Sequence, residues 1–208
     1  MHYSKFDAAE QDDLWQHLTE QAHKDGSLPE DLSVKNIMDT WTLQMGFPVV
    51  TVNRNYADNT AKLTQDRFLI SKSENNKDKH NYMWWIPVTF TAAGGDFENT
   101  KNQIWMSNTE KTKSIDGLPD ADTPVIFNIK ETGYYRVNYD EKNWKLIIKQ
   151  LNEDHMKIDV INRAQIIDDA INLARSGLLS YEIALGVTSY LSKEVEYIPW
   201  AAALSGMG

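Results

Sequence analysis

The 208-residue chain contains no cysteine, which excludes a disulfide framework and any thiolate metal site. It has no surplus of positive charge either. Its 21 Lys and Arg stand against 30 Asp and Glu, for a formal net charge of −9 and a pI of about 5.0. A nucleic-acid binder needs a basic stripe to neutralise phosphates, and this chain has none. The densest basic patch, Lys72, Lys77 and Lys79, is interrupted by Glu74 and Asp78 and reads as a solvated loop. No apolar run approaches the ~20 residues needed to span a bilayer. The opening MHYSKFDAAEQDD lacks the apolar segment of a signal peptide, and no Asn-x-Ser/Thr acceptor occurs.

Catalytic signatures are missing as well. The histidines are His2, His17, His23, His80 and His155. A zincin helix sets two histidines one turn apart around a glutamate so that both nitrogens reach one metal. His17 and His23 are six positions apart and fall on different faces of a helix, and no histidine is followed by Glu-x-x-His. There is no Gly-x-Ser-x-Gly elbow and no glycine-rich phosphate loop. Asp168 and Asp169 are adjacent, but neighbouring helical residues diverge by ~100°, so they form no local acid–base couple. With Asn162, Arg163 and Gln165 they read as a polar set that caps loops and braces neighbouring helices. No catalytic, cofactor-binding or metal-ligating residue is assigned.

What is present is a chain long enough to bury a core, with 41% hydrophobic residues, seven Trp and nine Tyr. Its periodicity falls into three zones. Up to about Met45 the pattern is helical. Asp12 or Asp13 is placed to cap a helix carrying Leu14, Trp15, Leu18 and Ala22, and Ser33 to cap one carrying Val34, Ile37, Met38, Trp41 and Met45. Gly46 and Pro48 stop the second helix, and Gly46 is expected to be left-handed.

From Phe47 to about Asp140 the period changes to two. Candidate strands cover 47–56, 61–70, 84–92, 101–106, 112–115, 124–129 and 134–139, separated by turn clusters. Pro87 marks an edge or a bulge. Seven short strands at this spacing predict an antiparallel β-sandwich. Tyr135, Val137 and Tyr139 face one way. This alternation fits a strand packing on a partner sheet better than an aromatic binding face.

After Asp140 the helical period returns. Trp144, Ile147, Ile148 and Leu151 share a face, and a longer helix follows from Ile158 to Ala174 with Gly177 as its stop. Ser180 caps a run to about Lys193, and Pro199 opens another helix at Trp200. Helices stacked in pairs need neighbours to bury their second faces, so the first and third zones are expected to be incomplete.

Four strings, in order, resemble the zinc aminopeptidases of the aminopeptidase N type. They are IMDTWTLQMGFPVVTV (37–52), GYYRVNYDEKNW (133–144), NRAQIIDDAINLARSGLLSYEIAL (162–185) and YLSKEVEYIPWAAAL (190–204). The resemblance implies a multi-domain α and β chain divided into three parts. Residues 1–45 would be the helical end of a catalytic domain and 46–140 an antiparallel β-sandwich. Residues 141–208 would start a helical-repeat domain, the opening of an α-helical superhelix. It further implies a parent enzyme that removes N-terminal residues from peptides, using zinc-activated water with a glutamate as general base. Neither the HExxH helix nor the Gly-x-Met-Glu-Asn motif is present, so no catalytic residue carries over and the chain is expected to be inactive alone. Its implied partners are the remainder of the aminopeptidase chain and, for the parent, peptide substrates; an extracellular or membrane-anchored ectoenzyme is implied as the setting. The rival reading is a stand-alone protein-interaction module derived from such an enzyme.

Overall fold

The change of hydrophobic period near Gly46 coincides with a division of the backbone into two compact units, Met1–Gly46 and Phe47–Gly208. A computed structural model describes residues 10–71 and 81–208. His2, His80 and the charged loop bearing Lys72, Glu74, Lys77, Asp78 and Lys79 lie outside the described residues.

The first unit is a helical pair. α1 (Gln11–Lys24) begins slightly earlier than its Asp12 or Asp13 cap predicts, with Glu10 at the cap position. Asp13 instead reaches back to accept the Glu10 backbone N–H at 2.9 Å, satisfying one donor that the helix leaves free. α2 (Val34–Thr42) starts at the expected Ser33, whose hydroxyl accepts the Asn36 N–H at 3.1 Å. It stops short of Met45, and the Gln44 side chain turns back to donate to the Thr40 carbonyl at 2.8 Å. The helices are joined by Val34 N–H donating to Thr19 Oγ1 at 2.9 Å, over buried Leu28, Leu32 and Ile37. Gly46 has φ of 91°, the left-handed conformation expected of it.

The second unit is built on β1 (Pro48–Asn55), β2 (Thr60–Arg67), β3 (Ile86–Val88), β4 (Phe90–Ala92), β5 (Ile104–Met106), β6 (Thr112–Ile115), β7 (Val125–Phe127) and β8 (Arg136–Tyr139). One sheet has the order β6-β2-β1-β8, while β3–β5 and β4–β7 form two-stranded sheets. β1 and β2 are antiparallel with Val52 opposite Leu63. β1 and β8 run parallel with Val50 opposite Val137.

The single strand expected over 84–92 is two strands in different sheets. Thr89 interrupts it: its carbonyl accepts Asn128 N–H at 2.9 Å and its hydroxyl accepts Ile129 N–H at 2.9 Å. Pro87 sits in β3, which among the described residues is paired on one side only, by β5, the edge position at which a strand tolerates proline.

Four helices follow: α3 (Glu141–Asp154), α4 (Val160–Arg175), α5 (Tyr181–Thr188) and α6 (Tyr197–Met207). Asp140, Asp159 and Ser180 cap the first three through side-chain oxygens. α5 passes into a 3-10 turn at Ser189–Lys193. α6 starts two residues before Pro199, which then lies in the first turn, where its missing N–H has no intrahelical partner to lose. α4 is buried over most of its length. Trp84, Trp144, Leu63, Phe127 and Ile147 are among the fully buried side chains. Tyr135, Val137 and Tyr139 are buried as well, so their alternation packs the sheet. Among the described residues no helix is long and apolar enough to cross a membrane.

Candidate functional site

The polar residues of 162–169 gather at the contact between α4 and β8. Asp169 has a side chain only 5% exposed and sits 2.9 Å from Arg136 Nη1. The same nitrogen meets Asp168 at 2.6 Å. The other oxygen of Asp169 accepts the Val137 backbone N–H at 2.9 Å. Asn172 holds Asp168 from one turn further on, at 3.0 Å. The Arg136 guanidinium lies 5.0 Å from the Phe68 ring centre and 5.8 Å from that of Phe47, within cation–π range. Burial pushes the Asp169 carboxyl up to about 7, against the pull of Arg136 and the Val137 N–H. Glu131 is also raised, by burial and then by the charge of Asp168.

A second group ties α4 to the strand connection before β8. Asn162 donates to the Asn128 carbonyl at 3.0 Å and accepts Lys130 N–H at 2.8 Å. Asn128 in turn accepts Gly133 N–H and donates to the Gly133 carbonyl, both at 2.9 Å. These bonds hold three non-glycine residues at positive φ, Asn128 (60°), Lys130 (51°) and Glu131 (51°), a conformation that persists only where surroundings enforce it.

Arg163 does not meet Asp168. It pairs with Glu194 at 2.8 Å, both side chains almost wholly buried, and donates to the Ile158 carbonyl at 2.7 Å. Burial acts to raise the Glu194 carboxyl, but N–H donation from Glu196 and the bonds from Arg163 outweigh it and hold the group below its usual range. Glu194 also accepts Val195 N–H at 3.1 Å and Glu196 N–H at 3.0 Å, which anchors the start of α6.

Sequence reasoning missed Arg54. It is buried and donates to the carbonyls of Thr123 (2.8 Å), Pro119 (2.7 Å) and Asp120 (3.0 Å) and to Asn143 Oδ1 (2.9 Å). The signal was available: period two in β1 sets position 54 on the face of buried Val50 and Val52. Arg136 was missed because nothing local links it to residues 168 and 169.

Chemically, each of these groups is occupied with main chain or with an opposite charge. No nucleophile stands beside a base in any of the four. His17 lies 3.9 Å from Glu20 on α1, His23 is 2.9 Å from the Leu32 carbonyl, and His155 packs on the Tyr190 ring. Among the described residues no group of three His, Cys, Asp or Glu side chains is arranged to hold a metal ion.

A protein family described as "ERAP1-like C-terminal domain" matches residues 124–208. Aminopeptidase N of Mus musculus is 41% identical over 197 residues, which is 94% of this chain and 19% of that protein. Aminopeptidase Ey of Gallus gallus is 42% identical over 197 residues, with the same coverage. The thyrotropin-releasing hormone-degrading ectoenzyme of Homo sapiens is 39% identical over 204 residues, 96% of this chain and 19% of that protein. The chain thus spans about a fifth of the length of these curated relatives. Identity near 40% runs along almost the whole chain, which matches one segment of those longer aminopeptidase N-type proteins.

Proposed function

We propose that this chain is a non-catalytic, structural segment of a zinc-dependent aminopeptidase that removes N-terminal residues from peptides. The observation that carries the reading is the near-complete alignment of the chain with aminopeptidase N at about 40% identity. The buried polar groups support it, since they brace helices against sheets and engage no open site. Zinc does not fit the described residues, which offer no cluster of three ligands.

In this reading residues 1–45 are the helical end of a catalytic domain, 46–140 a β-sandwich, and 141–208 the first helices of an α-helical superhelix. No catalytic, cofactor-binding or metal-ligating residue is assigned to any of them. The three sheets of the second unit and the α4–α5 and α4–α6 packing support the division. The partner is the remainder of the aminopeptidase chain. α6 supports this assignment, because it carries no charged residue from Tyr197 to Met207, yet Tyr197, Leu204 and Met207 are exposed. A helix apolar on all sides belongs in an interior.

The test is peptidase activity of the purified chain on aminoacyl chromophores, with and without added zinc. The expected result is no release above the metal-free blank. Release abolished by a chelator and restored by zinc would overturn the reading.

A further inference from the structure

Three acids crowd one cation where α4 meets β8. Asp168 and Asp169 share a single nitrogen, Arg136 Nη1, and Glu131 is close enough to feel the charge of Asp168. Arg136 Nε is buried and has no hydrogen-bond partner, so the guanidinium is not fully used by the pair. The other elements packed on α4 bring no compensating charge. α6 has none, Glu182 of α5 is exposed, Lys130 beside Glu131 is drawn to Glu98, and Arg163 is committed to Glu194. Beside Arg136, β8 and the residue before it bring Tyr139 and Tyr135, both buried phenols held well above their ordinary range by burial. With every carboxyl ionised, the cluster would hold more negative charge than positive around an Asp169 side chain only 5% exposed, while Asp168 and Glu131 reach solvent. Two carboxylates sharing one cation cannot both ionise freely, and desolvation adds to the penalty.

We propose that Arg136, Asp168 and Asp169 form a proton-gated joint between the sheet and α4, closed while the acidic pair keeps one proton and loosened when both are charged. The proton resides on Asp169, the more deeply buried of the two, and leaves to solvent as the joint opens. Its sign follows from linkage. The carboxyl titrates higher in the closed state (about 7) than in an open, solvated one (3.8). The closed state therefore gains stability at low pH and loses it as pH rises through about 7. Val137 reports the joint directly, because its N–H is bonded to Asp169.

The test is amide hydrogen exchange of the 208-residue chain between pH 5.5 and 8.5, corrected for intrinsic rates, with the Leu63 amide of β2 as reference. Protection of Val137 should fall by about tenfold between pH 6 and 8, as expected for one pKa unit of differential stability, while Leu63 stays level. In Asp169→Asn the fall should vanish, and in Asp168→Asn it should move to lower pH, because the Asp168 charge raises the Asp169 carboxyl. Should Asp169→Asn fail to fold, carbon NMR titration of the Asp169 carboxyl in the unsubstituted chain decides: a midpoint near 7 supports the joint. Overturning results are protection of Val137 that does not change with pH, a fall that persists in Asp169→Asn, or a carboxyl that titrates near 4.

Discussion

At Gly46 the backbone takes φ of 91° between the end of α2 and the start of β1. An L side chain at such an angle brings its Cβ against the neighbouring carbonyl, and the left-handed region costs roughly 1–2 kcal/mol for ordinary residues. β-branching sharpens the penalty. Gly46→Val should therefore destabilise the chain by on the order of 1–2 kcal/mol, read as a lower midpoint in urea denaturation. An unchanged midpoint would mean that the turn relaxes at no cost. This position was legible in sequence because its cause is local: a helical period, a glycine and a proline within a few residues. Ser33 and Ser180 were legible as caps for the same reason. The burial of Arg54 could be read from the period of β1, but its partners, like those of Arg136, could not, because they lie far along the chain. Arg54 meets the 119–123 carbonyls and Arg136 meets Asp168 and Asp169, and no single sequence indicates which distant residues a fold will bring together.

Elements followed their period more faithfully than their boundaries. The expected α5 run to Lys193 tightens into a 3-10 turn after Thr188, and the 84–92 run divides at Thr89. The second departure comes from tertiary bonds, since the Asn128 and Ile129 N–H groups draw Thr89 out of line. Helix crossings were likewise invisible in the sequence. α6 meets α4 at Gly206, where an added Cβ would lie 2.6 Å from Ile171 Cδ1 and 3.4 Å from Ile171 Cβ. The tip of isoleucine can rotate away, but its Cγ2, at 3.2 Å, must also give by a few tenths of an ångström, and the two methyls of a valine need further room between the helices. Against this stands the better helix propensity of any residue over glycine, at most ~1 kcal/mol. Overpacking in a buried contact costs about 1–3 kcal/mol, and it should win. Gly206→Val is expected to lower the denaturation midpoint, and combining it with Ile171→Ala should recover part of the loss. A double substitution no better than the sum of the two singles would show that this contact does not set the helix spacing.

At the scale of the whole molecule the decisive feature is apolar surface without a neighbour. On α6, Tyr197, Trp200, Leu204 and Met207 recur at intervals of three, four and three residues, which aligns them along one face. Tyr197 is 81% and Leu204 67% exposed. The opposite face, with Ala203 and Gly206, is buried. Such a stripe is what a helix presents to another helix in a left-handed packing. In the proposed enzyme the covering helices belong to the rest of the chain, consistent with relatives about five times as long as the matched segment. Isolated from them, the stripe leaves apolar area in water at ~25 cal/mol per Å², so a few hundred Å² corresponds to several kcal/mol of missing burial. Patches of that size drive association, and the net charge of −9 opposes it only through screened repulsion. The isolated chain should therefore self-associate increasingly with concentration and with added salt, measured by sedimentation velocity. Tyr197→Glu with Leu204→Glu should restore a monomer without lowering the denaturation midpoint, because both side chains already face water. A chain that stays monomeric at high salt and high concentration would remove α6 as an interface and leave its lack of charge without a partner to explain it.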